Sequence, residues 1–417
     1  MIKPLKKSSY KISRMAAIGC LIAISVTFTN GVTVKALDSN NVSIDTASNI
    51  VNINDKHKFL IDAPLKSYNN IEKVEKVAGF KFKVPDFIPE PNKAEADSLQ
   101  VIKLSDNDNV LLIYLANNVN FSFQVSEKDP LEYLKKIETE KYGKPDKLKI
   151  ESEEQTMKLG ETNGFCVTVT TTSPAETMEN GYIRKESQDV DKYFAWKNEG
   201  LWYSIKYNSI LNIKGEESKQ MLDISKDNIE KIAKSIKYPE VIRNVDYSVK
   251  EEVSTEVCVM SIYDKEDLEK AKNILGFNPK LPLKINEDIN INGAVVQISV
   301  DSDIKNNKIN YEIDNFYSNK NGSITFSQAK TSKYYEDIKK NGYFIEEATE
   351  DNKPKQIKAE KLDINNNKVF KYVENEYITT LTYVWKENDI YYSVTFFDKA
   401  ENSDEIIKEF VNSKPIY

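Results

Sequence analysis

The chain has 417 residues, with 58 Lys and Arg against 65 Asp and Glu, a net charge of −7 at neutral pH and 40% hydrophobic residues. That length exceeds what one core usually organises and predicts two domains, while the acidic balance argues against nucleic acid and against simple adhesion to anionic lipid. With one histidine, His57, only three cysteines and 13 glycines, the composition argues against a Ser-His-Asp or Cys-His set, a His-based zinc site and a phosphate-cradling glycine loop.

At the N-terminus Lys3, Lys6, Lys7, Lys11 and Arg14 precede an apolar stretch from Met15 to Phe28. This is the charge and length pattern of a secretory signal, and the stretch falls short of the roughly twenty apolar residues that a membrane span requires. Val34 and Ala36 stand where a signal peptidase inspects the chain, which sets a signal peptide over 1–36; retention of the segment as an anchor is the alternative. Cys20 lies inside the apolar run, whereas a lipid acceptor would end it. Cleavage removes six positive charges and no acid, so the net charge moves from −7 to −13 and no stable span remains.

Residues 37–68 are rich in Asn, Ser and Asp with little periodicity and read as a flexible leader. A first domain is expected over 69–239. It opens with an amphipathic helix from Asn70 to Ala78, stopped by Gly79 in the left-handed conformation and followed by Phe80 and Pro85. Strand patterns follow at 99–104, 110–115, 121–125 and 165–170, with a helix at 130–142 among them. The segment Trp196-Lys197-Asn198-Glu199-Gly200-Leu201-Trp202-Tyr203-Ser204-Ile205 reads as a hairpin, and a closing helix runs over 219–236.

After a linker at 240–263, of which Val257 to Ile262 could add a strand to either sheet, the same landmarks return in the same order over 264–417. A helix ends at Leu275 before Gly276, Phe277 and Pro282. Strand patterns occupy 294–300, 309–317, 324–328, 369–373 and 378–385, with a helix at 332–340. Trp385-Lys386-Glu387-Asn388-Asp389-Ile390-Tyr391-Tyr392-Ser393-Val394 repeats the hairpin, and a closing helix covers 403–411. The reading is an α+β protein made of two tandem copies of a curved antiparallel sheet, with helices packed on one face.

Candidate chemistry is sparse. Asp363, Asn365, Asn367 and Glu374 match four positions of a calcium loop, but Lys368 stands where the turn glycine is needed, so a polar hairpin turn is expected and no metal or other cofactor. Cys166 and Cys258 either form one bridge or stay as thiols. Trp196 and Trp385 are expected as buried anchors. Neighbouring strand positions face opposite sides, so Trp202 and Tyr391 are the candidate ligand-facing aromatics.

The Gly-Phe helix ends, the W-K-x-x-x-[LI]-[WY]-Y-S element and the closing Ala233-Lys234-Ser235-Ile236 together resemble a family of extracytoplasmic bacterial domains, the domain of unknown function 4367. The resemblance covers both copies and is closer in the first, since the second closes with Val411-Asn412-Ser413. It implies a Gram-positive cell-envelope setting and a fold similar to the half-barrel of lipoprotein carriers, and it carries no catalytic residues. The expected function is therefore an exported, non-enzymatic binding or sensing protein for a peptide, lipid or cell-wall fragment. A structural surface or spore-associated protein, or a carboxylate-dependent secreted hydrolase, are the alternatives.

Overall fold

A computed structural model describes residues 57–416 apart from 90–93, 106–107, 116–120, 143–148, 178–182, 250–257, 300, 303–308, 320–321, 347–353, 376–378 and 398–401. The expected signal peptide and the leader up to residue 56 lie outside the described residues. The chain divides into two compact units, Pro64–Lys250 and Lys58–Ala63 with Glu251–Tyr417. Each is built on one large antiparallel sheet, and six helices accompany the sheets among the described residues.

The first unit runs β1 (Leu65–Tyr68), α1 (Ile71–Ala78), β2 (Ala96–Ser105), β3 (Asp108–Leu115), β4 (Ser122–Ser126), α2 (Pro130–Tyr142), β5 (Lys149–Leu159), β6 (Thr162–Ser173), the short pair β7 (Glu176–Thr177) and β8 (Ile183–Arg184), β9 (Ser187–Asn198), β10 (Leu201–Ile213), β11 (Lys219–Asp223) and α3 (Lys226–Lys234). The second runs β12 (Cys258–Ser261), α4 (Lys265–Leu275), β13 (Asn290–Ile298), β14 (Tyr311–Asn319), β15 (Gly322–Ala329), α5 (Lys333–Asn341), the pair β16 (Tyr343–Glu346) and β17 (Lys355–Lys358), β18 (Glu360–Ile364), β19 (Asn367–Asn375), β20 (Thr379–Glu387), β21 (Ile390–Phe397) and α6 (Ser403–Asn412).

Strand order in the first sheet is β1-β2-β3-β4-β10-β9-β6-β5, with β11 added against β10; in the second it is β12-β13-β14-β15-β21-β20-β19-β18. Apart from β11, the two orders are the same, position by position. The leading helices obey the same end chemistry. Asn70 caps the start of α1 and Gly79 ends it at φ 84°, while a capping box between Asp264 and Asp267 starts α4 and Gly276 ends it at φ 68°.

Four expectations are corrected. The helices do not share one face. α6 contributes Ile406, Ile407, Phe410 and Val411 to the cluster around Trp385, whereas α5 contributes Tyr335 and Ile338 to the cluster around Val384. Val384 and Trp385 are consecutive in β20 and point to opposite sides, so both faces of this sheet are covered. The cause is legible in β20 itself, where Thr382, Tyr383, Val384 and Trp385 are all buried, and β9 of the first sheet shows the same run in Tyr193, Phe194, Ala195 and Trp196.

The span read as leader already carries structure from residue 58 onward, because Ile61 and Ala63 are apolar and buried and Leu65 opens β1. The described part of the span read as a linker is folded: Val245, Tyr247, Ile262 and Tyr263 are buried, and β12, within the segment that could add a strand, pairs with β13. Asp86 anchors its first part, accepting from Lys237 Nζ at 2.7 Å and from the backbone N–H groups of Arg243 and Asn244 at 2.9 and 2.7 Å. Finally, the closing helix of the first unit starts at Lys226 rather than Lys219, since Gln220 and Leu222 pair with β10 as β11. Among the described residues no helix is long and apolar enough to cross a membrane.

Candidate functional site

The two W-K hairpins organise each unit. In the first, Trp196 and Tyr203 are cross-strand partners with stacked rings 5.6 Å apart, flanked by Phe194 and Phe123. In the second, Trp385 and Tyr392 stack at 5.2 Å and Phe326 lies parallel to Trp385 at 6.0 Å. Phe123 and Phe326 occupy matching places, each opposite the β-branched residue two positions after the tyrosine, Ile205 and Val394. The turns need left-handed backbone: Glu199 and Gly200 take φ 48° and 87°, and Asn388 takes 54°.

A lysine placed four residues after the helix-ending glycine locks each turn. Lys280 is 1% exposed; its Nζ donates to Glu387 Oε2 at 2.7 Å and to the Val411 carbonyl at 3.3 Å, and sits 4.7 Å from the centre of the Tyr392 ring. Lys83 donates to Glu199 Oε1 at 2.6 Å and to Asn198 Oδ1 at 3.2 Å. The Lys83 and Tyr238 donors hold the Glu199 carboxylate below its ordinary pKa. The sequence offered no signal for this clamp beyond two lysines at matched distances from Gly79 and Gly276.

Trp202 and Tyr391 lie on the opposite face, half-buried, as alternation requires. Each is the cross-strand partner of the lysine that follows the tryptophan: Lys197 Nζ is 5.5 Å from the Trp202 ring and Lys386 Nζ is 4.4 Å from the Tyr391 ring. Such lysine–aromatic contacts contribute about 0.5–1 kcal/mol at exposed sites. The Trp202 ring meets Phe165 edge-on at 5.3 Å. Tyr391 is more constrained, because its ring meets Tyr335 of α5 at 5.4 Å and its hydroxyl donates to Glu336 at 2.7 Å while accepting from Lys386 at 3.0 Å. Burial raises the Tyr391 hydroxyl pKa, Lys386 opposes the rise and Glu336 reinforces it. Tyr391 is thus braced by its own unit while its ring stays half-buried on the face that alternation assigns it.

Register extends these pairs into a row across each sheet. In the first unit the row is Ile102, Val110, Ser126, Trp202, Lys197; in the second it is Gln297, Glu312, Ala329, Tyr391, Lys386. Cross-strand partners share a face, so matched positions hold an apolar pair in one unit and a polar pair in the other. Gln297 Nε2 donates to Glu312 at 2.8 Å and to Asp314 at 2.6 Å. Burial and then the Asp314 charge push the Glu312 carboxyl up, to about 8.

Other candidates resolve simply. Asn365 and Asn366 form the β18–β19 turn at φ 49° and 65°, and β19 carries Glu374 away from Asn367 by seven strand steps, about 23 Å. Among the described residues no group of three or more His, Cys, Asp or Glu side chains is arranged to hold a metal. Cys166 is free, with Sγ 3.2 Å from the Tyr207 hydroxyl, so it does not bridge to Cys258. No protein-family model, no curated protein and no solved structure matches this chain.

Proposed function

We propose that the chain is an exported, non-enzymatic binding or sensing protein of the cell envelope, whose two units carry diverged versions of one ligand surface. The carrying observation is the repeated row that ends in Trp202 and Lys197 in one unit and in Tyr391 and Lys386 in the other. A half-buried aromatic beside a lysine pairs apolar area with a cation, which suits a peptide, lipid or cell-wall fragment bearing a ring or acyl portion and an anionic group. Ile102 and Val110 make the first row apolar, whereas Gln297 and Glu312 make the second polar, so the two units select different chemistry. Trp202 is the better contact, because Tyr391 already satisfies its hydroxyl internally. The motifs resembling the domain of unknown function 4367 support an extracytoplasmic setting and a half-barrel curvature of each sheet. The charged N-terminus supports export.

A thermal-shift screen of the purified protein against lipids and wall fragments tests this reading. A ligand at about a hundred times its dissociation constant adds roughly 2.7 kcal/mol. Trp202→Ala should abolish the shift and leave the unliganded melting nearly in place. A screen without any shift would favour a structural surface protein instead. One observation favours a second reading, a carboxylate-dependent hydrolase: Glu312 and Asp314 lie on one strand face, and the Glu312 carboxyl stays protonated further into the neutral range than an ordinary glutamate. Glycan or peptide hydrolysis lost in Glu312→Gln would establish that reading.

A further inference from the structure

Residues Lys58–Ala63 group with Glu251–Tyr417, whereas His57 before them and Pro64–Lys250 after them group with the first unit. The backbone N–H groups of Leu60 and Ile61 both donate to the Tyr263 carbonyl, at 2.8 and 3.1 Å. Ile61 is 2% exposed and Ala63 5%, and the residues beside the receiving carbonyl, Ile262 and Asp264, are buried at 0% and 4%. This is the start of α4: Asp264 is its N-cap, and the N–H groups of Tyr263 and Asp264 donate to Asp267 Oδ2. Pro64 then breaks the pattern, since it carries no N–H and holds Ala63 extended. Its own carbonyl accepts from Lys103 N at 2.7 Å in the first unit.

We propose that residues 58–63 are a strap that completes the second unit, so that the main body of the first unit, Pro64–Lys250, stands in sequence between two parts of the second. Detaching the strap therefore loosens the distal half of the protein and spares the half that follows the strap directly in sequence. The long separation is no obstacle. Loop-closure entropy rises only logarithmically with the intervening length, and here the intervening chain is itself folded. Residues 58–63 lie outside any described strand, and buried Ile61 and Ala63 and the bonds to the Tyr263 carbonyl contribute to holding them. Such an element opens more readily than a sheet.

Hydrogen exchange of the full chain tests the proposal. Ile61→Asp should accelerate exchange across α4, residues 265–275, by about tenfold or more and leave α1, residues 71–78, unchanged. A second form carries a protease site inserted between Ala63 and Pro64 and is cut after folding. The cut N-terminal piece should co-elute with the remainder and leave when the second unit melts. Unchanged exchange in α4 for Ile61→Asp overturns the proposal, as does acceleration of α1 to the same extent. A cut piece that elutes free while α4 keeps its protection overturns it as well.

Discussion

Lys280 and Glu387 meet at 2.7 Å across 107 positions of sequence, and Lys83 and Glu199 repeat the contact in the first unit at 2.6 Å across 116. The two contacts differ in burial: side-chain exposure is 1% and 36% for the first pair and 16% and 57% for the second. An exposed ion pair contributes about 0–1 kcal/mol, so Lys83→Ala should lower the stability of the first unit by no more than that. Removing one partner of a fully buried pair costs roughly 3–5 kcal/mol. Glu387 stays hydrated when Lys280 is removed, so Lys280→Ala should cost about 2 kcal/mol, including the lost packing on Tyr392. Chemical denaturation of both variants checks the order; equal losses would contradict it.

Trp196 and Trp385 should behave as anchors of separate cores. They are 3% and 0% exposed, and truncating a buried aromatic to Ala costs about 3–5 kcal/mol. Trp196→Ala should lower one calorimetric transition and Trp385→Ala the other, with additive effects in the double variant. Trp385 Nε1 is buried without a hydrogen-bond partner, a condition that costs about 1–3 kcal/mol. Trp385→Phe keeps a stacked ring and removes that unmet donor, so it should cost far less than Trp385→Ala.

The two units should respond to pH in opposite senses. Burial opposes ionisation of Asp86, but the Lys237, Asn244 and Arg243 donors outweigh it and lower its pKa to about 2. A depressed carboxylate stabilises the fold above its unfolded value, and that contribution is lost as pH falls from about 4 toward 2. The Glu312 carboxyl is raised, so the folded second unit holds a proton that the unfolded chain has released, and its stability falls as pH rises from about 4.5 toward neutrality. Melting curves of Asp86→Asn and Glu312→Gln beside the parent protein isolate each contribution. A parent whose first unit melts alike at pH 2 and pH 5 would rule out the Asp86 assignment.

Tyr391→Phe should remove the hydroxyl's bonds to Glu336 and Lys386 and cost about 0.5–1.5 kcal/mol in the second unit alone. A loss of ligand response larger than this loss of stability would make Tyr391 a contact after all.

Where local chemistry decides conformation, the sequence was legible. Gly79 and Gly276 end helices because glycine takes the left-handed cap without a Cβ clash, and Trp196 and Trp385 stand two residues before the ends of strands that lead into turns with positive φ. β5 was not legible. Its sequence, Lys149 to Leu159, is almost wholly exposed, so it carries no apolar alternation and is held by backbone pairing to β6. The coverage of both faces was missed because consecutive apolar residues in β9 and β20 resemble either a buried strand or a packed helix segment. The strap at 58–63 was missed because Ile61 and Ala63 find their partners only after the chain has folded through the whole first unit. The rows that end at Trp202 and Tyr391 depend on the register of four strands, which no single segment encodes.

Expression of residues 64–250 alone tests the central claim of two equivalent units most directly. The bounds follow the observed unit rather than the narrower landmarks, since they keep β1 and the Asp86 contacts to Arg243 and Asn244. The account predicts one cooperative melting transition and amide spectra whose β9 and β10 resonances coincide with those of the full chain. A fragment that aggregates, or whose spectra collapse to unfolded shifts while the full chain stays folded, would contradict it.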